Sequence, residues 1–160
     1  MKVLIFGAGN LLFTDEGFGV HFIRYMQAKY SFPPEVELYD GGTLGIMVSH
    51  MLEEAEQVFL IDVIEAKGAP GSVFRYDKED FMLNRIPVKM SPHQIGIQEV
   101  LTISELRGRC PDKITLFGVV PASYETSDIL SPALTETLPL LAEMLIKELV
   151  TAGFSVKKLN

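Results

Sequence analysis

At 160 residues and 48% hydrophobic content, the chain has the mass of one ordinary domain and can bury roughly two thirds of its unfolded surface without covalent staples. Fourteen Lys and Arg against 21 Asp and Glu give a net charge of −7, which argues against a nucleic-acid partner or an anionic membrane surface. A single cysteine, Cys110, and the lack of any apolar run of membrane-spanning length point to a reducing, cytoplasmic compartment.

The N-terminal run Val3 to Phe6 reads as a buried first strand rather than a signal peptide, since one lysine precedes it and glycines follow with no cleavage-type sequence. It leads into FGAGNLLFTDEGFGV, Phe6 to Val20, a glycine-rich turn opening a helix. Such turns ordinarily cradle phosphate, because backbone N–H groups and a helix N-terminus favour anions. Gly7 and Gly9 match the first two positions of the dinucleotide fingerprint, but Leu12 occupies the third, and Asp15 and Glu16 would repel a pyrophosphate. Asp40 at the end of a second strand, Val36 to Tyr39, mimics the ribose-binding acid, so a nucleotide-binding domain stays in view. The two acids also have a plain reading: carboxylates in a first helical turn are favoured by the helix dipole.

Gly19, Phe22, Ile23, Met26 and Tyr30 share one face at helical spacing. A third strand, Val58 to Ile61, ends on Asp62, placing a carboxyl where open α/β sheets collect ligands. The segment GAPG, Gly68 to Gly71, is too short for a helical crossover, so the strand Val73 to Tyr76 should run antiparallel to its neighbour. SPHQ, Ser91 to Gln94, has the form of a capping box with proline at the first helical position. It places His93 in a first turn, where the helix dipole favours neutral imidazole, the form that binds metal. A last buried strand, Ile114 to Val120, precedes a helix from about Pro132 to Val150, capped by Ser131 and kinked or interrupted at Pro139.

The expectation is one domain over residues 1–160: an α/β three-layer sandwich whose mostly parallel, mixed sheet of about five strands carries helices on both faces. Glu16, Asp62 and His93 would then converge on one sheet rim as a three-ligand N/O set with open coordination positions for a divalent metal. His21 and His50 lie within helical patterns, and His21 is turned about 140° from Glu16. Cys110 has no ligand partner at a recognisable spacing.

GAGNLLFTDEGFGV, DGGTLG at Asp40 to Gly45, LID ending in Asp62, SPHQIG at Ser91 to Gly96, GVVP at Gly118 to Pro121 and LSP at Leu130 to Pro132 together resemble the hydrogenase maturation endopeptidases, in order and from first strand to last helix. Val120 stands where many members carry Gln, and an apolar residue there is similar to the branch serving uptake-type nickel-iron hydrogenases. The resemblance implies removal of a C-terminal extension from a nickel-iron hydrogenase large-subunit precursor after nickel insertion. It implies Glu16, Asp62 and His93 as metal contacts, and Asp62, Glu16 and Asp40 as the catalytic carboxylates, Asp40 through its DGG turn beside the cleft. It also implies nickel that arrives with the substrate, although another divalent metal would suit the same ligands. Two mechanisms stay open, a metal-polarised carbonyl or water, and carboxylates acting directly on water as in an aspartyl protease. The competing readings are a non-catalytic metal carrier or chaperone and, less favoured, the nucleotide-binding domain.

Overall fold

A computed structural model describes residues 1–42, 49–83, 85 and 101–160. Its centre is a five-stranded sheet built from β1 (Val3–Ala8), β3 (Val36–Gly42), β4 (Gln57–Val63), β5 (Val73–Asp77) and β6 (Lys113–Val119) in the order β3-β1-β4-β6-β5. The first four in that order pair in parallel, and β5 lies antiparallel on β6, with Val73 opposite Val119 and Asp77 opposite Thr115. This is the mixed sheet expected from the short GAPG connection, whose Gly71 takes φ +91° and donates its N–H to the Val120 carbonyl at 2.8 Å. A two-stranded ribbon of β2 (Tyr30–Ser31) and β7 (Lys157–Lys158) joins the end of the first helix to the C-terminus.

Helices cover both faces. On one side α1 (Phe18–Lys29) and α5 (Pro132–Thr151) bury Phe18, Phe22, Ile23, Met26, Leu141, Leu145 and Leu149 against Ile5, Phe59, Ile61 and Phe117 of the strands. On the other, Leu52 of α2 (Ser49–Glu54), Phe81 of α3 (Lys78–Met82) and Leu101, from the helical stretch 101–106 that we label α4, pack on Leu4, Phe6, Leu60 and Leu116. The central strands β1, β4 and β6 alternate their side chains between two apolar layers, hence their unbroken apolar runs. The edge strands β3 and β5 are only partly buried, hence their more alternating pattern.

The Ser131 hydroxyl accepts the Leu134 N–H at 3.4 Å and Pro132 opens α5, as the Ser-Pro pair indicated. Of the kink or interruption expected at Pro139, the interruption does not occur. One helix of 20 residues runs through it, because Leu134 and Thr137 before the proline and Leu141, Ala142, Leu145 and Leu149 after it are all buried, which holds the axis across the missing N–H.

Candidate active site

At the carboxyl end of β1 the glycine turn folds back on itself. Gly9 adopts φ +150°, and the Asn10 N–H donates to the Glu16 carbonyl at 3.1 Å, so the protein's own backbone takes a donor that a phosphate would use. Gly7 and Gly19 face each other where α1 crosses β1, and a Cβ on Gly19 would collide with the carbonyl oxygens of Ala8 and Ile61. Gly7 and Gly19 therefore serve close packing of helix on strand. That contact sets the start of α1 over the end of β4.

The two acids of the turn part company. They occupy a 3-10 turn, Thr14–Gly17, ahead of α1 rather than its first α-helical turn. Asp15 is fully buried, and its Oδ2 accepts the N–H groups of Ala122 at 2.8 Å and Ser123 at 3.0 Å while Oδ1 accepts that of Ser131 at 2.9 Å. One carboxylate thus ties the whole loop between β6 and α5 to the glycine turn. Thr14 helps, in the left-handed region at φ 42°, with its N–H on the Ser127 carbonyl at 2.8 Å and its hydroxyl on that of Glu125 at 2.5 Å. Asp15 is a structural hub that sequence reasoning missed, since the groups it satisfies are main-chain N–H donors with no side-chain signature.

Glu16 remains partly accessible, and its charge reaches Asp62. Asp62 lies at the end of β4, one residue beyond the Gly7 to Ile61 pair, and is 1% exposed. Its Oδ1 accepts the adjacent Val63 N–H at 2.8 Å, whereas its buried Oδ2 has no hydrogen-bond partner among the described residues. Burial raises its carboxyl well above the usual range, the Val63 N–H opposes this, and the charge of Glu16 raises it further. A buried carboxyl oxygen without a donor, within reach of a second carboxylate's charge, is costly to ionise.

His93 and its capping box lie outside the described residues, as do Ile97 and Val100. Among the described residues no group of three or more His, Cys, Asp or Glu side chains is placed to hold a metal ion; of the expected set, Glu16 and Asp62 are described, and the charge of Glu16 acts on Asp62. Asp40 sits opposite Gly7 on the far side of β1 from Ile61, about 10 Å across two strand spacings. Its carboxylate pairs with the Arg24 Nε of α1 at 3.5 Å. His50 is exposed, and His21 is half-buried with its ring basicity lowered first by burial and then by Arg24. The Cys110 thiol, pushed up to about 11 mainly by burial, is a poor nucleophile, in keeping with its incidental reading.

The model of the hydrogenase maturation protease family (HycI) matches residues 20–148. The chain belongs to the hydrogenase maturation protease family. It is 35% identical over 158 residues to the hydrogenase expression/formation protein HupD of Rhodobacter capsulatus, a match covering 98% of this chain and 75% of that protein. It is 32% identical over 158 residues to the hydrogenase 2 maturation protease of Escherichia coli, covering 96% and 93% of the two chains. The solved structure of the hydrogenase maturating endopeptidase HybD from E. coli superposes with a TM-score of 0.91 at 31% identity over 99% of this chain and 98% of that one.

Membership of the hydrogenase maturation proteases makes the protein a peptidase and removes the nucleotide-binding alternative, in keeping with a glycine turn closed by its own carbonyl. Asp62 at the end of β4 and Glu16 in the turn after β1 stand at the carboxyl rim of the sheet, and Asp15 pins the loop after β6 to the same turn.

Proposed function

We propose that this maturation protease removes the C-terminal extension of a nickel-iron hydrogenase large-subunit precursor once nickel has been inserted. The client's own nickel serves as the recognition element, held by Glu16, Asp62 and His93. The observation that carries the reading is the buried, unpartnered Oδ2 of Asp62 against the charge of Glu16. Two carboxylates at such close quarters resist ionising together in a buried site, and a divalent cation relieves both desolvation and mutual repulsion. Docking is then strongest when the client carries its metal, which makes cleavage a checkpoint on nickel insertion.

Hydrolysis adds water to the scissile carbonyl and breaks its C–N bond, so one group must accept a water proton and one must return a proton to the leaving amine. Asp62, whose proton burial retains, suits the donor role toward the leaving amine, and Glu16 near it is positioned to accept the water proton. A bound divalent ion would supply Lewis-acid polarisation there. Asp40 joins as an element at the edge of the cleft through its turn, two strands away from Asp62. We place the reaction in the cytoplasm, supported by a half-buried cysteine that remains a free thiol; no described helix is long and apolar enough to cross a membrane.

The test is incubation of the protein with nickel-loaded and nickel-free large-subunit precursor, followed by mass spectrometry of the products. Cleavage of the loaded precursor alone is the expected result. An intact loaded precursor would return the chain to the metal-carrier reading, and equal cleavage of both forms would remove nickel from recognition.

A further inference from the structure

Past the carboxyl ends of β4 and β6 a cleft of about 440 Å3 runs between two loops, with Ile64, Ala66 and Lys67 on one wall and Pro121, Ala122 and Tyr124 on the other. Its volume falls in the range of sites that enclose a ligand of several residues or a drug-sized molecule, roughly 300–1,000 Å3. Its walls are held in place by main-chain bonds: Ile64 N–H to the Val119 carbonyl at 3.0 Å, Gly71 N–H to the Val120 carbonyl at 2.8 Å and Val120 N–H to the Ser72 carbonyl at 3.0 Å. The Ala122 and Ser123 N–H groups that would otherwise face the cleft mouth are committed to Asp15, so this wall and the turn carrying Glu16 move as one body. The ring of Tyr124 stands at the rim, 43% exposed, where a large aromatic gains nothing from the core. Its phenol is pushed up to about 12, first by burial and then by the charges of Glu65, Glu16, Asp62 and Asp15, which puts it within electrostatic reach of the carboxylate pair and keeps its proton on.

We propose that this cleft seats, in extended form, the stretch of client polypeptide adjoining the scissile bond. In it the Tyr124 hydroxyl donates a hydrogen bond to a backbone carbonyl of that stretch, setting the bond's position against Glu16 and Asp62. The apolar parts of the walls, Ile64, Ala66, Pro121 and Ala122, accept an uncharged side chain of moderate size next to the cut. Tyr124 is thus a substrate-positioning residue. The inference rests on the endopeptidase reading but is separable from it.

The experiment measures processing of nickel-loaded precursor at several precursor concentrations for the wild type, Tyr124→Phe and Ala122→Trp, with far-UV circular dichroism to confirm that each variant is folded. Both positions are exposed, so the fold should tolerate either change. Loss of one neutral hydrogen bond should raise KM by roughly threefold to tenfold in Tyr124→Phe with kcat near the wild-type value. Filling the cleft in Ala122→Trp should raise KM by roughly tenfold or more through steric exclusion. Active wild type with unchanged KM in both variants would overturn the cleft assignment and leave the endopeptidase reading standing. A loss confined to kcat would place Tyr124 in the chemistry and overturn its positioning role. An inactive wild type would remove the endopeptidase reading itself, and the cleft assignment with it.

Discussion

The Oδ1 of Asp15 accepts the N–H of Ser131, the N-cap of α5, at 2.9 Å across 116 residues of sequence, and the other oxygen of the same carboxylate holds Ala122 and Ser123. The loop walling the cleft is therefore fastened at both ends to the turn that presents Glu16. Stability and site geometry depend on one side chain.

Asp15→Ala leaves these buried donors without their acceptor, and each orphaned group costs about 1–3 kcal/mol. Urea unfolding should show a loss of ~3–5 kcal/mol. Asp15→Asn, which keeps one acceptor oxygen, should lose about half as much. Processing should fall in both variants more than their folded fraction accounts for, because the wall of the cleft comes loose.

Asp62 predicts a stability that falls as pH rises. Its native carboxyl holds its proton well above the usual value, whereas the unfolded chain ionises near that value. In the window between the two, the native state binds more protons, so the stabilisation is complete below the ordinary carboxyl range and is lost as pH climbs through the raised value. In metal-free buffer Asp62→Asn should be as stable as wild type near pH 3.5 and more stable at pH 7. The gain should appear as pH rises out of the ordinary carboxyl range and grow toward neutral pH. Calorimetry across that range checks it, and a gap that narrows toward neutral pH would contradict it. The same variant should lose processing, the combination expected where a site is built at the expense of stability.

Much of this was readable in the chain. Asp62 announced itself as an ionisable residue closing an apolar strand, and the antiparallel β5 followed from a connection too short for a helix. The role of Asp15 was hidden, because its partners are main-chain groups 107, 108 and 116 residues away. Gly7 and Gly9 mislead when read as a phosphate motif, since the absence of Cβ serves helix-on-strand packing at Gly7 and the close approach of the Glu16 carbonyl at Gly9. Tyr124, in a loop with no periodicity, became visible only when the fold set it beside the carboxylates. The imidazole in the proposed metal set, His93, lies outside the described residues.

The packing role of the glycines carries its own prediction. Gly19→Ala drives a methyl into the Ala8 and Ile61 carbonyls and should cost about 3 kcal/mol or more, with processing disturbed because the end of β4 must shift. Gly108→Ala, at φ +70° with nothing within 4 Å, should cost only the left-handed backbone penalty of ~1–2 kcal/mol and leave processing intact. Thermal melts of the two variants separate collision from backbone strain.

The most direct measurement is the position of a divalent ion in crystals of the protein soaked with nickel or zinc, located by anomalous scattering, in wild type and in Asp62→Asn. An ion shared by Glu16, Asp62 and His93 in the wild type, and absent or weakly occupied in the variant, is the predicted result. Carboxylates of Glu16 and Asp62 that bind no common ion, or an ion that persists unchanged in Asp62→Asn, would contradict it.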